Sequence, residues 1–332
     1  MKTNIKLFRA LLLTGYLGLA SEVHAQSYNY RIIEYPGASS TFITGISGST
    51  VVGYYQDSSH VDKGFVLNGS NYTQLTLPVT SYGIYINGIN GSTMFGSYMY
   101  STVNGVTYGR GFAYDGTNFT SYEHPLSAVT DNDNPSRNTP ANTAVNGIVG
   151  STVFGSYTTL LPLSQTSTQL GFVYDGTNYT TYERPGALST QIRAISNGVI
   201  YGTYAMQTGP QRGFKLVGGQ YYDFGPDNSI MSMPFGASGN NVVGFYLGTD
   251  YIQHGYIYDG STFTTFDYSS PGVIGTGLLG ISGNTLLGYS LDGSYNAKSF
   301  IATPSAVPEP STYGLIGIGS LALAILARRR KM

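Results

Sequence analysis

Four acidic side chains fall at related places in this 332-residue sequence. Glu34, Glu123, Glu183 and Asp267 each close a short stretch rich in aromatic residues, and His124 and Arg184 directly follow two of them. Carboxylates can act on a sugar in two ways. A pair standing on either side of a glycosidic bond, one protonated and one ionised, can split it. Singly, each only accepts hydrogen bonds. Residues related by a repeat have matched surroundings, and no second acid of distinct environment accompanies them, so the sequence names no catalytic residue. Glu34, Glu123, His124, Glu183, Arg184 and Asp267 are expected to bind a ligand, with bond cleavage by the carboxylates as the alternative. There is no cysteine, which excludes thiol chemistry, Cys-ligated zinc and disulfides. His60, His124 and His254 lie at no ligand spacing. Asp131-Asn132-Asp133-Asn134 starts like a calcium loop, but Ser136 replaces the glycine expected at the sixth position and no terminal Glu follows. No metal and no cofactor is expected.

A repeat must position these residues. The run GFVYDGTNYTTYE from Gly171 has near copies from Gly111 (GFAYDGTNFTSYE) and Gly255 (GYIYDGSTFTTFD), with weaker ones from Gly64 and Gly213. A second pattern ending in Gly and Tyr follows, as in AVNGIVGSTVFGSY up to Tyr157. The aromatic after the leading glycine falls at 65, 112, 172, 214 and 256, so the commonest period is 42 residues. That is the length of a four-stranded blade. Its strands are named here a (Gly-aromatic), b (Tyr-Thr-Thr-Tyr), c (as in Ile-Ser-Asn) and d (Val-x-Gly-x-Tyr). Asn-Gly or Asp-Gly pairs at 68–69, 115–116, 175–176 and 259–260 provide the positive φ of a tight a–b turn.

The chain enters on a b strand, Tyr28 to Glu34, with no a before it. It leaves on an a strand, Ser299 to Ala302, with no b after it. Pairing the two would close a ring and remove two exposed sheet edges. The expected fold is all-β: a six-bladed β-propeller of four-stranded blades, the first blade closed by the C-terminal strand. Residues 27–304 resemble the HAF-type extracellular repeats, with Gly-Phe or Gly-Tyr where the name-giving His-Ala-Phe would stand.

In an up-and-down blade the a–b and c–d turns share one face, and the b–c and d–a connections share the other. The first two kinds are uniformly short. The extra length of the unit from Phe112 lies between Glu123 and Thr143 and between Tyr157 and Gly171. One face is therefore plain and the other decorated, and loops on a rigid scaffold are where function concentrates. The acidic set belongs to the decorated face, as do the d-strand tyrosines Tyr54, Tyr98, Tyr157, Tyr204, Tyr246 and Tyr289.

The two ends lie outside that fold. Lys2, Lys6 and Arg9 precede a mostly apolar stretch, and Val23-His24-Ala25 offers small residues for cleavage between Ala25 and Gln26. A signal peptide is expected over 1–25, the propeller over 26–304 and a sorting segment over 305–332. Tyr313 to Ala327 carries no charge, and Arg328, Arg329, Arg330 and Lys331 follow directly. With its flanks this run reaches the roughly 20 residues of a transmembrane helix, its basic end held on the cytoplasmic side. Val307-Pro308-Glu309-Pro310, the apolar run and the basic stop resemble, in that order, the PEP-CTERM sorting signal of Gram-negative bacteria. The resemblance implies an exosortase acting after signal peptidase on an inner-membrane precursor, then release to the cell surface or beyond. Such proteins accompany exopolysaccharide production, so a non-catalytic surface or biofilm-matrix protein binding exopolysaccharide is expected, an exported polysaccharide hydrolase or lyase being the alternative.

Processing changes the charge. Seven of the 16 cations but only two of the 17 anions lie in the terminal signals, leaving a body with nine cations, fifteen anions and a net charge of −6. Nucleic acid needs a basic footprint and is not an expected partner. The membrane is expected to be a partner only through the C-terminal segment.

Overall fold

The computed structural model describes residues 27–101, 107–127, 142–160 and 167–305. The signal peptide, the sorting segment from 306 and most of the two inserted loops lie outside the described residues. No helix occurs among the described residues. Residues Tyr30–Thr303 form one compact unit.

The chain begins with β1 (Tyr28–Ile33) and then makes groups of four strands. The first comprises β2 (Ser40–Ser47), β3 (Thr50–Gln56), β4 (Asp62–Asn68) and β5 (Asn71–Gln74). The second comprises β6 (Gly83–Asn90), β7 (Thr93–Ser101), β8 (Thr107–Tyr114) and β9 (Phe119–Tyr122). The third has β10 (Asn142–Val149), β11 (Thr152–Leu160), β12 (Ser167–Tyr174) and β13 (Tyr179–Tyr182). The fourth has β14 (Ser189–Ser196), β15 (Val199–Ala205), β16 (Arg212–Val217) and β17 (Gln220–Phe224). The fifth has β18 (Ser229–Ser238), β19 (Asn241–Gly248), β20 (Gln253–Tyr258) and β21 (Phe263–Phe266). Last come β22 (Val273–Ser282), β23 (Thr285–Asp292) and β24 (Ala297–Pro304).

Each group is an antiparallel sheet in chain order, and β1 joins the last as its fourth strand, in the order β22-β23-β24-β1. The second and third groups are bridged by a single parallel pair, Asn142 with Gly109. Successive groups pack on one another through β2, β6, β10, β14, β18 and β22, and β22 also packs on β2. These are all c strands. The blade therefore runs c-d-a-b, with c inside and b outside, rather than starting at a. The terminal strands pair as expected, but the blade they complete is the last one in the chain, and the N-terminal strand is the added piece. A lone b strand can dock only on the outer edge of a sheet that lacks one, and β24 offers that edge.

The repeat's aromatic is the centre of each blade. Phe65, Phe112, Phe172, Phe214, Tyr256 and Phe300 are all 0% exposed. Burying such a ring contributes about 2–3 kcal/mol each. The leading glycine makes room for the next blade: a Cβ on Gly171 would lie 2.9 Å from Ile192 Cγ1, and one on Gly64 3.0 Å from Ile86 Cδ1. Ser299 takes this place in the last blade. Its hydroxyl donates to Thr41 O at 2.9 Å and accepts from Ile43 N at 3.2 Å, linking β24 to β2. The a–b turns behave as their sequence demands, with φ of 60°, 97°, 102° and 101° at Gly69, Gly116, Gly176 and Gly260. In three of them an aspartate caps the loop; Asp175 Oδ1 accepts from Thr177 N at 2.8 Å and Asn178 N at 2.7 Å.

Every c strand carries a β-bulge, with Thr44, Asn87, Asn146, Arg193, Phe235 and Leu279 left out of the register. Bulges bend a strand and increase its twist. Here the bend presses a c-strand carbonyl onto the d-strand glycine. A Cβ on Gly155 would overlap Ala144 O and lie 3.0 Å from Phe172 Cε1; one on Gly53 or Gly202 would overlap Phe42 O or Gln191 O. The Gly155→Ala variant is therefore expected to lose about 3 kcal/mol in urea unfolding, the upper end of core overpacking. Gly293, with open space around its would-be Cβ, is the control: Gly293→Ala should leave the urea midpoint within error. Equal midpoints for both variants would refute the bulge–glycine fit.

Candidate functional site

The four acidic residues follow the b strands, and their corners are built alike. The amide after each acid is captured by a c-strand hydroxyl: Tyr35 N by Thr41 at 2.9 Å, His124 N by Thr143 at 3.1 Å, Arg184 N by Thr190 at 2.9 Å and Tyr268 N by Thr276 at 3.0 Å. The residue so pinned then stacks on an aromatic. Tyr35 lies on Tyr55 with centroids 3.7 Å apart, and His124 lies on Tyr157 at 3.6 Å. The Arg184 guanidinium sits 3.9 Å from the centroid of Tyr204. Because b is the outer strand, the acids stand one per blade on the outer rim, not around the axis.

Most of the set is already engaged. Arg110 holds Glu123 at 2.6 Å, and Arg184 pairs with Asp223 at 2.8 Å. His124 is a core residue, 2% exposed, and burial pushes its imidazole down to about 4, so it is neutral at physiological pH. Its Nδ1 accepts from Leu126 N at 3.2 Å. Asp267 lies against His254 Nδ1 at 2.9 Å, while His254 Nε2 meets Asp250 at 3.1 Å. Two carboxylates facing both ring nitrogens require both to donate, which only imidazolium can do. Burial, which lowers the His254 pKa, is outweighed by these bonds and the net shift is upward. All four carboxylates are exposed, but Glu34 and Glu183 make no ion pair among the described residues. No two members of the acidic set meet each other.

The d-strand tyrosines serve the fold. Tyr98, Tyr157, Tyr204 and Tyr246 lie two residues after the d-strand glycine, and their hydroxyls reach across strand a to the b strand of the same blade, as Tyr98 to Ser121 at 3.0 Å and Tyr204 to Asp223 at 2.8 Å. Tyr54 and Tyr289 come one residue after it and so face the other side of the sheet; Tyr55 and Ser290 hold the equivalent places. Strand parity, not a tyrosine in the neighbourhood, decides the face.

Another set was hidden from the sequence reading. In three d–a loops a non-glycine residue has positive φ: His60 at 61°, Tyr251 at 62° and Tyr295 at 64°. Each loop is closed by a carbonyl three residues back, with Tyr295 N donating to Asp292 O at 2.8 Å and His60 N to Asp57 O at 3.0 Å. Aspartates brace the loops further: Asp292 Oδ1 accepts from Ser294 N at 2.9 Å and Asn296 N at 3.0 Å. Tyr251 and Tyr295 are 79% and 76% exposed, the most exposed large hydrophobic side chains among the described residues. These loops belong to the first, fifth and sixth blades, which are neighbours, on the same face as Glu34. The signal in the sequence was the aromatic three residues after Asp57 and Asp292, at a place where glycine is usual.

The axis holds a cavity of about 470 Å³ at the end where the c–d turns gather, that is, on the plain face. The six bulged residues line it. The sequence reading placed no site there. Aligned c strands do show it, since the residue before the bulge glycine or Ala194 is the one that changes from copy to copy.

Comparison with known proteins bears on the C-terminus and on the fold. Residues 306–331 match the family model of the PEP-CTERM protein-sorting motif. The chain carries a PEP-CTERM sorting signal. It implies an exported protein sorted by an exosortase. No curated protein matches the chain. Among solved structures, the chain is similar to a fungal lectin of Aleuria aurantia, described as a six-bladed β-propeller (15% identity, 82% of this chain and 98% of that one, TM-score 0.43). It is also similar to AofleA of Arthrobotrys oligospora (11% identity, 87% and 93%, TM-score 0.48). A third likeness is to an acylaminoacyl peptidase (8% identity, 83% of this chain and 46% of that one, TM-score 0.50).

The two histidines of the candidate site titrate in opposite senses. His254, raised above 6.5, stabilises the fold at lower pH, and that contribution disappears as pH rises through its folded pKa. His124, buried neutral, stabilises above 6.5, and its contribution disappears as pH falls through about 4. NMR titration should give a midpoint above 6.5 for one imidazole and near 4 for another. In His254→Gln the loss of thermal stability should be greatest in acid and fade as pH rises; a constant loss would contradict the doubly paired imidazolium.

Proposed function

We propose that this is an exported surface or matrix protein, trimmed by signal peptidase and an exosortase, whose closed six-bladed propeller binds exopolysaccharide without cleaving it. The observation that carries the reading is the trio of aromatics held outward at positive φ on adjacent blades. A tyrosine in that conformation costs about 1–2 kcal/mol relative to glycine. A fold that retains such strain at its most exposed large hydrophobic side chains gains something outside the fold. Flat aromatic faces suit the apolar faces of sugar rings, and Glu34 and Glu183 on the same side can accept bonds from hydroxyls. Single carboxylates on separate outer strands suit binding better than the paired acids of hydrolysis.

Two experiments test this. Replacing Pro308, Glu309 and Pro310 by alanine should leave an unprocessed precursor in the inner membrane; trimming at the wild-type rate would sink the sorting reading. The double variant Tyr251→Gly, Tyr295→Gly should be more stable, by about 1 kcal/mol per site, yet bind the host's exopolysaccharide about tenfold more weakly. Greater stability with unchanged binding would remove the aromatics from the site, and release of new reducing ends by the wild type would replace binding with hydrolysis.

A further inference from the structure

The axial cavity is built unevenly. On one side its bulge residues pass hydrogen bonds from blade to blade. Thr44 Oγ1 donates to Ile86 O at 2.6 Å, Asn87 Nδ2 to Val145 O at 2.9 Å and Asn146 Nδ2 to Ile192 O at 2.8 Å. Each acceptor is the carbonyl just before the next bulge, so the wheel also fixes the orientation of these side chains. The wheel stops at Arg193. Phe235 and Leu279 complete the ring with apolar side chains, and neither can continue it.

Arg193 is left with its donors unspent. Its guanidinium makes no hydrogen bond or ion pair with the described residues, and its Nε is buried without a partner. The neighbour it does have is the Phe235 ring, 5.2 Å from centroid to Cζ. The side chain lines the cavity, and its surface exposure is intermediate. Burial lowers its pKa to about 10, which leaves it cationic at neutral pH. It is the one charged side chain lining the cavity, although the body as a whole is acidic. Buried cations are normally paired, because an unpaired one forfeits hydration without compensation.

We propose that the axial cavity binds a hydroxylated monocarboxylate of the uronic-acid class, its carboxylate held by Arg193. One guanidinium matches one carboxylate in charge, and its planar fork matches it in shape. Asn87 lines the same cavity, and its amide oxygen can accept from a hydroxyl. Phe235 and Leu279 provide an apolar wall for a sugar ring. A volume of about 470 Å³ falls in the range of small-molecule sites. A doubly charged phosphate or sulfate would leave one negative charge unmatched. The inference goes beyond the polysaccharide reading above and does not depend on it, since it concerns the opposite face.

The test is titration calorimetry of the full chain in detergent with sodium glucuronate, glucose, sodium sulfate and a galacturonic acid trimer. Saturable binding of glucuronate, none of glucose and no displacement by equimolar sulfate are expected. Binding of the trimer as tight as the monomer assigns the site to uronate units of a polymer; weaker binding assigns it to the free sugar acid. Arg193→Gln should weaken glucuronate by at least about tenfold, with Arg193→Lys in between, and neither should lower the melting temperature, since an unpaired charge is being removed or made more flexible. The glucose and sulfate arms use only wild-type protein, so the outcome does not hang on the variants folding. The proposal is overturned by no saturable glucuronate binding up to about 10 mM, by glucose binding as tightly, by sulfate displacing glucuronate, or by unchanged affinity in a folded Arg193→Gln.

Discussion

Where each c strand bulges, the carbonyl it bends inward occupies the space that a Cβ would take on the facing d-strand glycine, as Ala144 O does over Gly155. Bulge and glycine form a matched pair that occurs once per blade. Without the glycine the bulge could not close, and without the bulge the inner strand could not twist sharply enough to stand beside its neighbours at the axis. The same pair determines what faces the axis, because it ejects one residue per blade from the ladder. Between first and second blades the backbones come so close that a Cβ on Gly45 would be 2.8 Å from Gly88 Cα. This contact brings the inner strands close together beside the axial cavity.

Away from the axis the chain uses a different device at each radius. The buried aromatic after each leading glycine fills the blade. Threonine hydroxyls at the c strands tie down the corners, so that a charged or aromatic residue after the acid can lie flat on a neighbouring ring. Charges on the rim are then distributed in local pairs: Arg110 with Glu123, Arg184 with Asp223, and His254 between two aspartates. Exposed pairs like these contribute only about 0–1 kcal/mol. Their value in a body with excess negative charge is that they keep repeat-related carboxylates from adding their fields together on one rim.

The repeat made the fold legible. Glycine before the aromatic, Asp-Gly at the a–b turn and the unmatched terminal strands each correspond to a backbone requirement, and backbone requirements recur identically in every copy. The position of c at the axis was not legible, because c alternates buried and half-buried residues like a strand with one covered face, while the continuously buried strand is d, as in β14 and β15. The site was harder still. A residue that binds a ligand is free to differ between copies, so a search for recurring residues finds scaffold first. Acids recur at the corner after the b strand, and Glu123, His124, Arg184 and Asp267 each have a partner inside the fold. Tyr251 and Tyr295 were missed because the signal is conformational, a positive φ where glycine would be easier. Arg193 was missed because it is exceptional within its column, beside Thr44, Asn87, Asn146, Phe235 and Leu279.

The join between the first and last strands also sets where processing can act. Ser305 N donates to Ser27 O at 2.8 Å, so the chain leaves the terminal pair on both sides within a few residues. Ala25 and Gln26 lie just before that bond and Val307 just after it in the sequence. The sorting signal, matched from 306, can therefore be removed without touching a residue of β24. The converse also holds. Docking of β1 on β24 needs both termini at the same blade edge, so a chain whose end is held in the bilayer presents the edge to which its own N-terminal strand must return. A last sheet completed by the chain's own first strand has that strand made before its partner, because β1 precedes β24 in the sequence.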